Sequence, residues 1–90
     1  MILATTTFDD FDTFLETFST QGLEKRRGYG SGGAHVFRDP TDEHRAWVVF
    51  DWDEDGYQQL MSDPDMPGIF EKAGLQGPPQ KAEPAGDFDA

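Results

Sequence analysis

Residues 45–52, Arg45-Ala46-Trp47-Val48-Val49-Phe50-Asp51-Trp52, decide the fold of this chain. The centre of the stretch, from Trp47 to Phe50, is continuously apolar, which is typical of a strand that is covered on both faces. The helices of one short chain can cover only one face of such a strand. The stretch therefore predicts a central strand whose second face is covered by a second copy of the chain.

Three further strands are predicted around this central one. Residues 1–6 form a short β-rich run, and residues 34–38 predict a strand that a turn at residues 39–43 joins to the central strand. Residues 80–83 predict a fourth strand that is short and polar. Pro84 follows it and confines it to an edge of the sheet, because proline cannot donate to a strand ladder.

Two helical regions are predicted between the strands. Thr7 resembles an N-cap, and large apolar residues then recur at helical steps until Gly22, which predicts a helix of about three turns. The glycine-rich residues 23–33 predict a flexible loop or a tight approach to the next strand. A second helical region begins near Asp53, and Pro67 divides it into two short segments with a bend. The apolar positions of the first helix are Phe8, Phe11, Phe14, Leu15 and Phe18.

The predicted order is β-α-β-β-α-β, a ferredoxin-like α+β fold with a four-stranded antiparallel sheet and its helices on one face. Because 90 residues are too few for two domains, residues 1–84 are expected to form one ferredoxin-like domain. Residues 85–90 are expected to form a flexible C-terminal tail. The continuously apolar central strand predicts that this domain works as a homodimer.

Charge and cysteine content narrow the classes of partner. The chain has 18 acidic and 7 basic residues, for a net charge of −11, which disfavours nucleic acid and anionic membrane surfaces as partners. It has no cysteine, which is consistent with a cytoplasmic protein, and no apolar run long enough to span a membrane. The acidic surface suits a high-salt cytoplasm, and an ordinary acidic protein is an equal alternative.

Three segments resemble a known superfamily, and together they extend over nearly the whole chain: Phe8-Asp9-Asp10-Phe11, Trp47 to Asp53, and Glu71 to Pro79. The resemblance is to the dimeric α+β barrel superfamily, which includes the antibiotic-biosynthesis-monooxygenase-like domains. It implies two βαββ(α)β subunits that pair sheet to sheet, with a small-molecule pocket between each sheet and its helices. Relatives use an Asn with a Trp, or a His on the second helix. This chain has no Asn and no His in that helical region, so the resemblance carries no activity across.

Three polar residues are candidates for acid–base catalysis. His35 lies on the second predicted strand and His44 precedes the third, so a symmetric hairpin would bring the two imidazoles together as a proton relay. Two His without an acid or Cys make a weak metal site, and we predict none. Asp51 is a candidate general base if it points inward beneath the helices. The alternatives are that the two His are unrelated polar residues and that Asp51 helps to cap the next helix.

Four residues are candidates for ligand binding. Trp47, Trp52 and Tyr57 would form aromatic walls for a planar ligand, although packing in the core or the dimer is the preferred interpretation for Trp47. Arg38, together with Arg45, would clamp a carboxylate or would pair with the acids of the nearby turn. The glycine run lacks the spacing and Lys of a phosphate loop, and no cofactor is predicted.

Two functions from different classes follow. The first is a cofactor-independent monooxygenase, cyclase or isomerase that acts on a small hydrophobic or aromatic molecule. The second is a non-catalytic dimeric protein that binds a small molecule or serves in a stress response. A ligand-sensing module of a regulator is a weaker alternative. A cavity filled by aromatic rings, with His35, His44 and Asp51 all facing solvent, would argue against the enzyme.

Overall fold

A computed structural model describes residues 1–90 and contains one four-stranded antiparallel sheet in the order β2-β3-β1-β4. This is the ferredoxin-like order, so the predicted fold class is confirmed. None of the helices has the length and apolar character that crossing a bilayer requires. The elements are β1 Ile2–Thr7, α1 Phe11–Phe18, α2 Gln21–Gly28, β2 Gly33–Arg38, β3 Arg45–Asp51, α3 Glu54–Met61, α4 Met66–Lys72 and β4 Gln80–Lys81.

The central strand β3 has two different faces. Ala46, Val48 and Phe50 are buried beneath the helices, whereas Trp47 and Val49 on the opposite face are only half-buried. Successive side chains of a strand point to opposite faces, so the continuous apolar run divides into two apolar surfaces. The chain itself buries one of them and leaves the other partly open to solvent.

The helix α1 begins three residues later than predicted. Asp10 is its N-cap, and its Oδ2 atom accepts hydrogen bonds from the Thr13 backbone N–H at 2.9 Å and from the Thr13 hydroxyl at 2.8 Å. Thr7 stays in β1, and the fully buried Phe8 continues the extended chain by a bridge to Leu75. The prediction of a Thr7 cap is therefore wrong, because Phe8 is held in the sheet by these tertiary contacts.

The helix α2 lies where a loop was predicted. Its residues show no apolar stripe, so neither this helix nor the position of Gly22 inside it follows from the hydrophobic pattern. Tertiary contacts hold it instead: Arg26 is buried, and Lys25 pairs with Asp63 and Asp65 at 3.0 and 2.7 Å. The loop is confined to the following residues, where Gly30 adopts φ +87°.

The later elements follow the prediction closely. The second helical region is divided into α3 and α4, and Pro67 lies in the first turn of α4, where its missing N–H has no helical partner to lose. Asp53 caps α3 by accepting the Gly56 N–H at 2.7 Å. The strand β4 has only two residues and pairs with β1 at the sheet edge. Residues 82–90 are exposed and contain neither helix nor strand.

Candidate functional site

A cavity of about 80 Å³ lies between the buried face of the sheet and the helices. This is smaller than the engineered cavity of roughly 150 Å³ that takes up benzene in another protein. A single small ring would therefore fit only with some movement of the walls, which include the flexible side chains of Met61 and Met66. The aromatic residues of the wall are Phe14, Phe18, Phe50, Trp52, Tyr57 and Phe70.

Two of the predicted binding residues, Trp52 and Tyr57, line this cavity. Both are buried, and their rings meet edge to face with centroids 5.9 Å apart. Trp52 follows β3 and donates its indole N–H to the Tyr29 carbonyl at 3.0 Å, which fixes its ring. The Tyr57 hydroxyl has no hydrogen-bond partner in the chain. Burial raises the pKa of Tyr57, so the hydroxyl is protonated at neutral pH and can donate to a ligand.

Arg26, on α2, also lines the cavity, although it is only 7% exposed. Its guanidinium lies over the ring of Phe18, with Cζ 3.8 Å from the ring centroid. No carboxylate lies within 4.0 Å of it, and it makes no hydrogen bond within the chain. Burial lowers the pKa of Arg26 to about 10, so the group is still cationic at neutral pH. In the sequence, Arg26 belongs to a cluster of basic residues. Nothing in the sequence distinguishes it from the neighbouring Arg27.

Thr6 adds a third unpartnered polar group to the cavity wall, after the Tyr57 hydroxyl and Arg26. Its side chain lies on the buried face of β1, and its Oγ1 atom is buried without a hydrogen-bond partner. Buried hydroxyls nearly always have a partner, because leaving one unpaired costs about 1–3 kcal/mol. Thr6 was not singled out in the sequence, where it is one of three consecutive threonines in a predicted strand.

The three candidate acid–base residues lie outside the cavity. His35 is exposed opposite Val49, whereas His44 lies in the turn before β3, so the strand register does not bring the two imidazoles together. His44 instead contacts the Phe8 carbonyl through Nδ1 at 3.1 Å. Asp51 is exposed at the end of β3, and Asp53 is the residue that caps α3. The expectations of a His pair and of an inward Asp51 are therefore corrected. No cluster of three or more His, Cys, Asp or Glu side chains is placed to hold a metal ion.

The two remaining candidates, Arg38 and Trp47, are also away from the cavity. Arg38 is exposed, and its guanidinium lies over the Phe11 ring, with Cζ 4.0 Å from its centroid. It makes no ion pair within 4.0 Å, although it lines an exposed groove together with Arg45 and the acids of the turn. Trp47 lies on the open face of the sheet and donates its indole N–H to Asp39 at 2.8 Å. Of the predicted site residues, only Trp52 and Tyr57 share one cavity.

Solved structures with the same fold cover nearly the whole chain. A crystal structure of an antibiotic biosynthesis monooxygenase superposes with a TM-score of 0.65 at 14% identity, over 96% of this chain and 97% of that one. A monooxygenase of Streptomyces coelicolor in complex with Nanaomycin D has a TM-score of 0.61 at 22% identity, over 99% and 89%. A nipsnap family protein of unknown function from Agrobacterium tumefaciens has a TM-score of 0.58 at 14% identity, over 93% and 86%.

These comparisons show that the chain has the fold of the antibiotic-biosynthesis-monooxygenase-like structures. At such low identity they show the fold alone. No protein-family profile matches the sequence, and no curated protein matches it.

Proposed function

We propose that this chain forms a homodimeric α+β barrel whose cavity binds a small aromatic molecule, and that it oxygenates this molecule with dioxygen and no cofactor. The observation that carries the proposal is the aromatic-walled cavity between sheet and helices. The shared fold with monooxygenases, one of them holding Nanaomycin D, supports the choice of reaction.

The open face of the sheet supports self-association. Phe37 is 55% exposed and Leu3 39% exposed, and they flank the half-buried Trp47 and Val49 on that face. Although the chain has 18 acidic residues, only Asp51 projects from this face of the strands, at one end. Arg45 and His35 also lie on this face. Its apolar centre of Leu3, Phe37, Trp47 and Val49, on a chain so acidic, fits a second copy of itself better than it fits water.

Sedimentation velocity of the wild type and of Phe37→Glu tests the dimer. We expect the wild type to sediment as a dimer at micromolar concentration and Phe37→Glu to sediment as a monomer, because two glutamates would meet in an apolar interface. Gln58→Glu adds the same charge at an exposed position of α3, away from the open face, and this variant is expected to stay dimeric. A folded wild-type monomer at these concentrations would contradict the dimer.

The simplest reaction of this type on one ring is the oxygenation of a hydroquinone. The substrate loses four electrons to dioxygen; one oxygen atom enters the ring to form hydroxybenzoquinone, and the other leaves as water. The substrate must first lose a phenolic proton, because the phenolate gives up electrons more readily than the phenol. The cavity wall contains no carboxylate and no imidazole, so the proton passes to water while the chain's own groups hold the oxygen.

Oxygen uptake with 1,4-hydroquinone tests this proposal. We expect uptake above the protein-free rate, with one atom of ¹⁸O from labelled dioxygen in the product. Tyr57→Phe is expected to lower the rate, because the Tyr57 hydroxyl is a free donor on the cavity wall. The control is Asp55→Asn, an exposed change on the same helix. An uptake equal to the protein-free rate would contradict oxygenation of this substrate.

A second candidate, binding without catalysis, is favoured by one observation: His35, His44 and Asp51 are all exposed. The cavity then offers aromatic walls and hydrogen-bond donors but no protein base. Calorimetric titration with benzamide, a neutral single ring, distinguishes the two candidates. If benzamide binds and 1,4-hydroquinone gives no oxygen uptake above the protein-free rate, the binding protein is favoured over the oxygenase.

A further inference from the structure

We infer that the ligand of this cavity carries an anionic oxygen on a planar ring, as a carboxylate or an ionised phenol, and that Arg26 binds this oxygen. The inference deepens the proposed function, because it assumes that the cavity takes up a small aromatic molecule. It adds the charge of that molecule and the residue that recognises it.

Arg26 has no counter-ion in the chain. Acidic residues outnumber basic ones 18 to 7, and three other cations do find acids: Lys25 pairs with Asp63, Lys81 with Glu54, and Arg45 with Asp42. Arg26 is more deeply buried than any of these three cations and has no acid within 4.0 Å. A buried charge is normally paired, so the anion that completes this site is expected to come from outside the chain.

The orientation of the Arg26 guanidinium leaves its donors free. Its stacking on Phe18 fixes the plane and compensates part of the lost hydration through the ring face. The stacking leaves the N–H groups in the guanidinium plane unused, and these are the donors that bind the two oxygens of a carboxylate or the single oxygen of a phenolate. Arg26 is therefore positioned as a donor without an acceptor.

Gly22 leaves the space that this side chain occupies. Gly22 lies one helical turn before Arg26, and a Cβ atom at Gly22 would lie 3.1 Å from Arg26 Nη1 and 3.3 Å from the Thr17 carbonyl oxygen. Glycine inside a helix is in general less favourable than alanine. Because Gly22 has no positive φ, its place in α2 reflects these two close approaches rather than a turn.

Thr6 gives evidence that is independent of Arg26. It comes from a different element, lines the same cavity and has a hydroxyl without any partner. A hydroxyl can donate to an anionic oxygen as an arginine does. With the Tyr57 hydroxyl, Arg26 and Thr6 give this otherwise apolar cavity three donors without a partner in the chain, which points to a ligand that is apolar over most of its surface and accepts hydrogen bonds at one place.

Calorimetric titration of the full chain with benzoate and with benzamide tests the inference. The two probes have the same ring and nearly the same shape, but only benzoate is charged. We expect the wild type to bind benzoate about tenfold more tightly than benzamide, and we expect Arg26→Gln to lose this preference. Arg27→Gln removes the neighbouring exposed arginine of α2 and is expected to keep the preference. Circular dichroism of each variant confirms its fold, and Arg26→Met, which keeps the packing on Phe18, serves if Arg26→Gln unfolds.

A second probe, 4-nitrophenol, separates the two sources of the anionic oxygen. Binding beside Arg26 is expected to lower the apparent pKa of the bound phenol, which is read from the absorbance of its ionised form. A preference for benzoate without this shift assigns the site to carboxylates, and the shift without a preference for benzoate assigns it to phenolates.

Three outcomes would overturn the inference. Equal binding of benzoate and benzamide with no shift of nitrophenol would leave the aromatic cavity intact and remove the anionic ligand. A preference for benzoate that survives in Arg26→Gln would remove Arg26. Binding of neither ring would overturn both this inference and the proposed function for molecules of this size. Arg26-dependent benzoate binding without oxygen uptake would keep the inference and remove the oxygenase.

Discussion

The hydroxyl of Tyr29 donates a hydrogen bond of 2.6 Å to Oδ2 of Asp63 and so ties the end of α2 to the turn between α3 and α4. Asp63 is 8% exposed and also accepts hydrogen bonds from Lys25 Nζ at 3.0 Å and from the Asp65 N–H at 2.7 Å. One carboxylate thus joins the two helical regions that lie on the sheet.

Asp63 makes the stability of the fold depend on acid. The hydrogen bond from Tyr29, then those from Asp65 and Lys25, lower the pKa of Asp63 to about 2 from an ordinary value of 3.8. The stabilisation is complete above pH 3.8 and is lost as the pH falls through about 2. We expect Asp63→Asn to be less stable than the wild type at neutral pH and to lose less stability over that acid range, as measured by urea unfolding.

Asp55→Asn is the matched control for this prediction, because Asp55 is exposed on α3 and makes no hydrogen bond through its side chain. It is expected to unfold like the wild type across the same pH range. The pKa of Asp39 is also lowered to about 2, so Asp39 accounts for part of the pH dependence of the free energy of unfolding that remains in Asp63→Asn. Parallel pH profiles of the wild type and Asp63→Asn would contradict the role of Asp63.

Gly56 is required by the packing of α3 against Trp52. A Cβ atom at Gly56 would lie 2.3 Å from Trp52 Nε1 and 2.7 Å from the Tyr29 carbonyl oxygen, so the hydrogen bond between them would have to break or move. We expect Gly56→Ala to lower the free energy of unfolding by about 1–3 kcal/mol. Gly68→Ala in α4 meets nothing within 4 Å and is expected to raise it by about 0.4–1 kcal/mol. Equal effects of the two changes would contradict this packing.

The unpaired hydroxyl of Thr6 predicts opposite effects on stability and binding. Thr6→Val keeps the shape of the side chain and removes a buried group that has no partner, so we expect the melting temperature to rise by about 4–8 °C. The same change is expected to weaken the binding of benzoate and not that of benzamide. Thr7→Val, on the half-buried opposite face of β1, is the control for binding. A loss of stability in Thr6→Val would show that the hydroxyl has a partner in solution.

The two tryptophans report on the two faces of the sheet separately. Trp52 lies in the cavity wall and Trp47 on the open face. In Trp47→Phe, where Trp52 remains, we expect 4-nitrophenol to quench the emission. In Trp52→Phe, where Trp47 remains, we expect the emission to shift to longer wavelength on dilution, as the dimer dissociates and Trp47 becomes solvated. Quenching of Trp47 at low ligand concentration would place the ligand on the wrong face.

Much of the fold could be predicted because local patterns and tertiary structure agree there. The apolar run of β3, the turn at residues 39–43 and the break at Pro67 each have a local physical cause, and the structure contains all three. The helix α2 could not be predicted, because its residues form no apolar stripe and its stability comes from distant partners such as Asp63. The helical spacing of the phenylalanines predicts that Phe8 lies in a helix. A bridge to Leu75, which is distant in the sequence, holds it in the sheet instead.

The candidate site divides in the same way. Trp52 and Tyr57 could be named in advance, because large aromatic residues next to a central strand usually face a core or a pocket. Arg26 and Thr6 could not, because one basic residue in a cluster and one threonine in a strand look like their neighbours until their partners are known. Likewise, the separation of His35 from His44 depends on the strand register, which the turn alone did not specify.

The sequence by itself determined the order of the strands and of the helices α1, α3 and α4, the acidic surface and the presence of more apolar strand surface than one helix layer covers, because these depend on residue types and their spacing. Only the tertiary structure decided which buried polar groups are left without a partner. Whether a guanidinium or a hydroxyl has a partner depends on residues far away in the chain, and the closure of the helices over the sheet leaves the Thr6 hydroxyl buried without a partner and Arg26 without an acid beside one cavity.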